Sequence, residues 1–328
     1  MPNRVFTVHE AAGDGAGAPA VNSLRRIGSS PFMKRPAKAL ERPAMNSLRR
    51  IGSSPLNVAV GDSNCQNDAA MTRFAAIQHD IVWTDRRANF ERLAPKIAVA
   101  AAAGADVVVL TETYSTGFAV DHPKLGEPEG GPSSRFLARQ ATQHGVWVVG
   151  SCPEIPADAG HDQRPYNSLV LAGPDGTTHR YRKIHPFTHA GEHETFRAGT
   201  EIMTVDIGGL RVTPFVCYDL RFADEFWQAA RSTDVYLVPA NWPAKRRTHW
   251  QALLRSRAIE NQAYVIGVNR VGEGGGIAYA GDSVVVHPNG DVLASAAEIE
   301  TMLLADVHAS EVAELRDHFR FLPDRRTG

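Results

Sequence analysis

Cysteine is scarce in this sequence. The 328 residues contain three, Cys65, Cys152 and Cys217. An odd, sparse set makes no disulfide framework and fits a reducing compartment in which a free thiol persists. A surplus of charge is also missing: 35 basic residues face 36 acidic ones, for a formal net charge of −1. That balance excludes the broad basic face with which a protein holds nucleic acid or an anionic membrane. No uninterrupted apolar run is long enough to span a bilayer, and the N-terminal stretch lacks the apolar core of a secretory signal. No G-x-G-x-x-G follows the first strand and there is no P-loop, so a doubly wound nucleotide-binding sheet is not expected. The composition is otherwise that of a globular protein, with 43% hydrophobic residues, enough for a sizeable core.

What is present divides near residue 70. Residues 1–70 are rich in Pro, Gly, Ser, Arg and Ala, and Asn22–Pro31 recurs identically as Asn46–Pro55. Two copies of a polar segment are too few to stack as a solenoid. Residues 1–70 are expected to be a disordered, low-complexity extension, or not native protein at all, with Met71 a plausible true start. Residues 71–328 form the expected domain. Phe74–Ile77, Asp106–Leu110, Val146–Gly150, Asn167–Ala172, Thr178–Arg182, Arg211–Val216 and Val235–Pro239 read as strands, followed by Tyr264–Asn269, Ser283–His287, Val292–Ser295 and Met302–Asp306. Asn89–Ala103, Ser133–His144, Phe222–Arg231 and Thr248–Gln262 read as helices. Gly272–Gly276 reads as a flexible turn. The mixed order suits one α/β domain of two sheets covered by helices.

Three strand ends carry reactive side chains: Glu112, Lys183 and Cys217. Singly, each has an ordinary reading as a surface carboxylate, a solvated base or a core cysteine. Their contexts run in order as Leu-Thr-Glu-Thr-Tyr-Ser-Thr-Gly-Phe (110–118), His-Arg-Tyr-Arg-Lys-Ile-His-Pro-Phe (179–187) and Phe-Val-Cys-Tyr-Asp-Leu-Arg-Phe (215–222). Together they resemble the three catalytic motifs of the nitrilase superfamily, the carbon–nitrogen hydrolases, from about Arg73 to the C-terminal region. The resemblance implies a four-layer α-β-β-α sandwich and a Glu112–Lys183–Cys217 triad. It also implies a second glutamate before the cysteine, assigned to Glu192 with Glu194 as the competing choice, and a homo-oligomer. Phe222–Trp227 and a C-terminal helix from Glu311 would supply its interface.

The chemistry expected of that set needs neither metal nor organic cofactor. A thiol is mostly protonated at neutral pH, so Glu112 would take its proton while Lys183 favours the thiolate. Lys183 and the backbone N–H of Tyr218 would hold the oxyanion. Val-Pro-Ala-Asn-Trp-Pro (238–243) and Gly-Val-Asn-Arg-Val-Gly (267–272) make the chain similar to the ω-amidase-like branch, which hydrolyses amides such as 2-oxoglutaramate. Where that branch commonly has Glu-Met-Phe, this chain has Glu112-Thr113-Tyr114, which would bring the Tyr114 hydroxyl to the acyl pocket. Trp242 is the expected pocket wall. Arg221 or Arg182 would meet a far carboxylate, and Arg257 and Glu260 would brace a helix. His185, His189 and His193 have helical spacing for a metal, but Pro186 and Gly191 interrupt it. Other amidase branches, acting on deaminated glutathione or carbamoyl amides, and a non-catalytic binding protein are the alternatives. The expected partner is a small amide in the cytoplasm, with no nucleic acid and no membrane.

Overall fold

A computed structural model describes residues 71–122 and 125–326. The expectations for residues 1–70, Cys65 among them, lie outside the described residues. Strand β1 (Met71–Gln78) is followed by helix α1 (Arg86–Ala102), β2 (Val107–Val109), β3 (Glu127–Pro128), α2 (Pro132–His144), β4 (Trp147–Ile155), β5 (Tyr166–Ala172) and β6 (Thr178–Arg182). A short helix α3 (Glu192–Thr195) leads to β7 (Val205–Ile207), β8 (Leu210–Pro214), α4 (Ala223–Ala229), β9 (Val235–Ala240) and α5 (Arg247–Asn261). The chain ends with β10 (Tyr264–Asn269), β11 (Val271–Gly274), β12 (Ile277–Val286), β13 (Val292–Ala297), β14 (Thr301–His308) and α6 (Ala309–His318).

These strands make two seven-stranded mixed sheets. The first has the order β14-β1-β2-β4-β5-β6 with β3 beside β4; the second has β11-β12-β10-β9-β8-β7 with β13 beside β12. Strand alternation assigns the layers, because neighbouring side chains point to opposite faces. Phe74 and Ala76 of β1 join Val107, Val109 and Leu169 in a core shared with the second sheet. Ala75 and Ile77 turn the other way and pack with Leu93 and Ile97 of α1 and Phe136 and Leu137 of α2. Trp250 and Leu254 of α5 cover the outer face of the second sheet. The result is the α-β-β-α sandwich the motifs imply.

Local signals position the helices. Asp85 caps α1 by accepting from the Ala88 N–H at 3.0 Å, and α2 opens on Pro132 and closes on left-handed Gly145, the usual asymmetry of helix ends. Several boundaries depart from the sequence reading, three of them beyond a shift of element ends. Gly272–Gly276 is not a loose turn: β11 and β12 pair as a hairpin around Gly275 and Gly276, whose φ angles are +58° and +73°. Two consecutive positive φ values are what a two-residue hairpin turn requires, so β12 begins at Ile277 rather than Ser283. The helix expected over Phe222–Arg231 is split into α4 and a 3₁₀ turn over Ala230–Ser232. The C-terminal helix begins at Ala309 rather than Glu311. Among the described residues, no helix is long and apolar enough to cross a membrane.

Candidate active site

Cys217 follows β8 and opens a 3₁₀ turn over Cys217–Arg221. Its φ is +46°, in the left-handed region that a non-glycine residue enters at a cost of about 1–2 kcal/mol. Asp219, buried two residues on, holds the turn. Its carboxylate accepts from the Val216 N–H at 3.0 Å, the His185 N–H at 2.8 Å and the Tyr181 hydroxyl at 2.8 Å. Because His185 lies two residues after Lys183, the same carboxylate fastens the lysine loop to the cysteine turn.

Glu112 leaves β2 and Lys183 leaves β6, both ends belonging to the first sheet. The Lys183 Nζ donates to Glu112 Oε1 at 2.9 Å and to Glu192 Oε2 at 2.8 Å. Asn167 Nδ2 donates to both carboxylates, at 2.9 Å to Glu112 and 3.2 Å to Glu192. The backbone N–H of Asn241, at the end of β9 in the second sheet, donates to Glu112 Oε2 at 2.8 Å. Both carboxylates and the ammonium are buried, so each charge is held by partners rather than water. Glu194 is on the surface, its side chain 75% exposed, whereas Glu192 is buried against Lys183.

The electrostatics follow from two carboxylates around one cation. Burial lowers the Lys183 pKa, but Glu112 and Glu192 outweigh it and hold that pKa above the ordinary lysine value. Burial raises the Glu192 pKa; Lys183 opposes that rise and the charge of Glu112 adds to it. Burial, followed by the charge of Glu112, pushes the Cys217 thiol well up, against the pull of Lys183. The resting cysteine is therefore a neutral thiol, and an attack by its sulfur requires a base in contact with it.

Glu112, Lys183 and Cys217 line a partly open cavity of about 60 Å³. Tyr218, Arg221 and Trp242 stand in its wall, as the sequence places them. Tyr218 is the second residue of the 3₁₀ turn, where an N–H has no intrahelical acceptor. Tyr114 is the correction. Thr113 takes a φ of +39°, which reverses the chain after Glu112 and sends the next side chain into the helix-facing core. There the Tyr114 hydroxyl donates to the Ser133 carbonyl at 2.7 Å, and the ring lies beside Phe90 and Phe136, away from the cavity. Arg182 also lies elsewhere, paired with Glu129 at 3.2 Å. Arg257 spans Glu260 and the Leu220 carbonyl, bracing α5. His189 and His193 occupy separate short turns around left-handed Gly191, and no metal-holding cluster is formed among the described residues. Sequence reasoning missed Phe118, Asn167, Asn241, Arg246 and Tyr279. Asn241 sits inside the Val-Pro-Ala-Asn-Trp-Pro stretch and was within reach; Tyr279 was hidden by the misread hairpin.

Comparison with known proteins places this geometry among relatives. The carbon–nitrogen hydrolase family model matches residues 73–317. The omega-amidase YafV of Escherichia coli (strain K12) is 38% identical over 253 residues, covering 75% of this chain and 94% of that protein. The 2-oxoglutaramate amidase of Bacillus subtilis (strain 168) is 31% identical over 227 residues, covering 68% and 85%. Among solved structures, XC1258 from Xanthomonas campestris, a CN-hydrolase superfamily protein with an arsenic adduct in its active site, superposes with a TM-score of 0.74 at 32% identity, covering 79% of this chain and 98% of that one.

Proposed function

The chain belongs to the carbon–nitrogen hydrolase family, and on that premise we propose that it is an ω-amidase-like enzyme cleaving the terminal amide of a short 2-oxo acid amide such as 2-oxoglutaramate. A thiol, a carboxylate and an ammonium meet at a small, partly open cavity that Arg221 also lines, and this arrangement carries the reading. A cavity of about 60 Å³ is small, which suits a chain of a few carbons. Arg221 has no carboxylate partner among the described residues and lies over the Trp242 ring at 4.7 Å, next to His249 at 3.4 Å. It is the cation for the substrate's far carboxylate.

The reaction then runs as follows. Glu112 takes the Cys217 proton as the sulfur bonds to the amide carbon. The oxyanion that forms is met by Lys183 Nζ and the Tyr218 N–H, donors fixed before the charge appears. Glu112 returns the proton to the departing nitrogen, the C–N bond breaks, and ammonia leaves a thioester on Cys217. Water gives its proton to Glu112, attacks the thioester carbon, and the carboxylic acid departs as the Cys217 thiol is restored. Glu192 does not reach the cavity wall; it holds Lys183 in place. A thiol nucleophile fits a reducing compartment, so the enzyme is assigned to the cytoplasm. A homo-oligomer is part of the same reading, and sedimentation of the purified enzyme at the monomer mass would remove it.

Ammonia release from 2-oxoglutaramate, succinamate, a short nitrile and a carbamoyl compound tests the assignment. Both amides are expected to turn over, and Cys217→Ala is expected to lower the rate by about 10³-fold or more. Turnover of the nitrile or carbamoyl compound with neither amide consumed would sink it.

A further inference from the structure

The cavity holds more polar equipment than hydrolysis and one carboxylate contact use. Arg246 lines it beside Arg221 and, like Arg221, has no carboxylate partner among the described residues. Its backbone is fixed: the Trp242 indole N–H donates to the Arg246 carbonyl at 2.8 Å, and the Arg246 N–H donates to the Pro243 carbonyl at 2.9 Å. Its guanidinium lies 5.3 Å from the centre of the Phe187 ring. Two guanidinium groups therefore line one small space, each over an aromatic ring and neither paired with a carboxylate among the described residues. Like charges so placed repel one another, and an anion bound between them relieves that repulsion. Burial, and then the charge of Arg246, lowers the Arg221 pKa.

The same cavity is lined by Tyr279, brought in by the β11–β12 hairpin. Its ring is fixed from behind by the buried guanidinium of Arg270, 4.6 Å from the ring centre. It is 5% exposed, lines the same cavity, and its hydroxyl makes no hydrogen bond among the described residues. Burial pushes that hydroxyl up to about 12, so it stays protonated and serves as a neutral donor. Its hydroxyl is thus a donor that no protein group uses among the described residues and that reaches the cavity.

We propose that Tyr279 and Arg246 form a second substrate anchor: the Tyr279 hydroxyl donates to an uncharged carbonyl oxygen beside the substrate's far carboxylate, and Arg246 shares that carboxylate with Arg221 while repelling an ammonium there. The substrate class this selects is a terminal amide whose far end is a 2-oxo acid, in preference to the same chain bearing a 2-amino group or a plain methylene. The selection works by attraction and repulsion together: the oxo oxygen gains a donor, and the ammonium of glutamine meets two cations. The anchor rests on the amidase reading above and deepens it.

The test compares kcat/KM for 2-oxoglutaramate, glutaramate (the same chain without the oxo group) and glutamine. Three proteins are compared, the parent, Tyr279→Phe and Arg246→Gln, each checked for an unaltered melting transition. For Tyr279→Phe, the preference for 2-oxoglutaramate over glutaramate is expected to fall about 10-fold, carried by KM rather than kcat. For Arg246→Gln, the preference for 2-oxoglutaramate over glutamine is expected to fall about 10-fold or more. Equal losses on all three substrates, or preferences that do not move, would overturn the anchor and leave the amidase reading standing. A parent enzyme inert toward both 2-oxoglutaramate and glutaramate would instead remove the amidase reading, and the anchor with it.

Discussion

Lys183 has two carboxylate partners, and they are not equivalent. Glu112 reaches the cavity and Glu192 does not, although both lie within 3 Å of the ammonium. Glu192→Gln keeps the shape and removes the charge, leaving Lys183 to draw on Glu112 alone and to weaken it as a base. The expected result is a kcat about 10²-fold lower with KM changed by less than about threefold. A KM that rises in step with the fall in kcat would mean that Glu192 touches substrate. Glu192→Ala also leaves the buried ammonium undercompensated, which should cost about 3–5 kcal/mol in urea denaturation. At this scale the sequence was legible where chemistry sits inside a motif at a strand end, as for Glu112, Lys183 and Cys217. It was not legible where a backbone reversal decides direction. Nothing in the residue types announces the positive φ of Thr113, and that angle puts Tyr114 in the core. Asn167 carries no local signal at all, since its role depends on two glutamates that are 55 and 25 residues away in the chain.

Thr178–Arg182, half-buried and set off by a turn, and Tyr264–Asn269, an apolar run buried along its length, have the limits their sequences predict. Half-exposed strands were shortened, because β12 begins with exposed Ile277 and Ala278 and offers no apolar run at its start. Packing between elements adds a constraint that pattern does not reveal. A Cβ on Gly267 of β10 would lie 2.5 Å from Leu254 Cδ1 and 2.9 Å from the Trp250 ring. Helix α5 thus sits on the sheet at glycine distance. Gly267→Ala must displace α5 or twist two buried side chains from their rotamers, at an expected cost of about 1–3 kcal/mol. Chemical denaturation reads that cost as a lower midpoint at unchanged slope. A midpoint equal to the parent's would mean that the α5 contact is slack.

The whole molecule depends on a seam between its two sheets, and His79 lies in it. The His79 carbonyl accepts from the Val271 N–H of the second sheet at 3.1 Å, and the next residue, Asp80, pairs with buried Arg270 at 2.6 Å. The imidazole is buried, with Nδ1 3.3 Å from the Ile77 carbonyl and no partner for Nε2. Burial lowers its pKa to about 4; the Ile77 carbonyl resists this and Arg270 adds to it. Between that value and about 6.5, the unfolded chain holds a proton on His79 that the folded chain refuses. Falling pH therefore favours unfolding, and the loss is complete below about pH 4, amounting to about 3 kcal/mol. Other groups act differently. Asp234 and Asp306, whose pKa values are lowered, act at more acid pH. His185, raised against its burial by Asp219 and Glu225, has the opposite sign: its contribution is present in acid and lost as pH rises. A comparison between proteins isolates His79. His79→Asn keeps a donor for the Ile77 carbonyl and removes the titration. Being smaller, the asparagine should lower stability at every pH, but the decline between pH 7 and pH 4.5 should be shallower than in the parent by most of that 3 kcal/mol. Parallel curves for the two proteins would mean that the seam opens to water in acid and that His79 takes its proton without unfolding the sandwich.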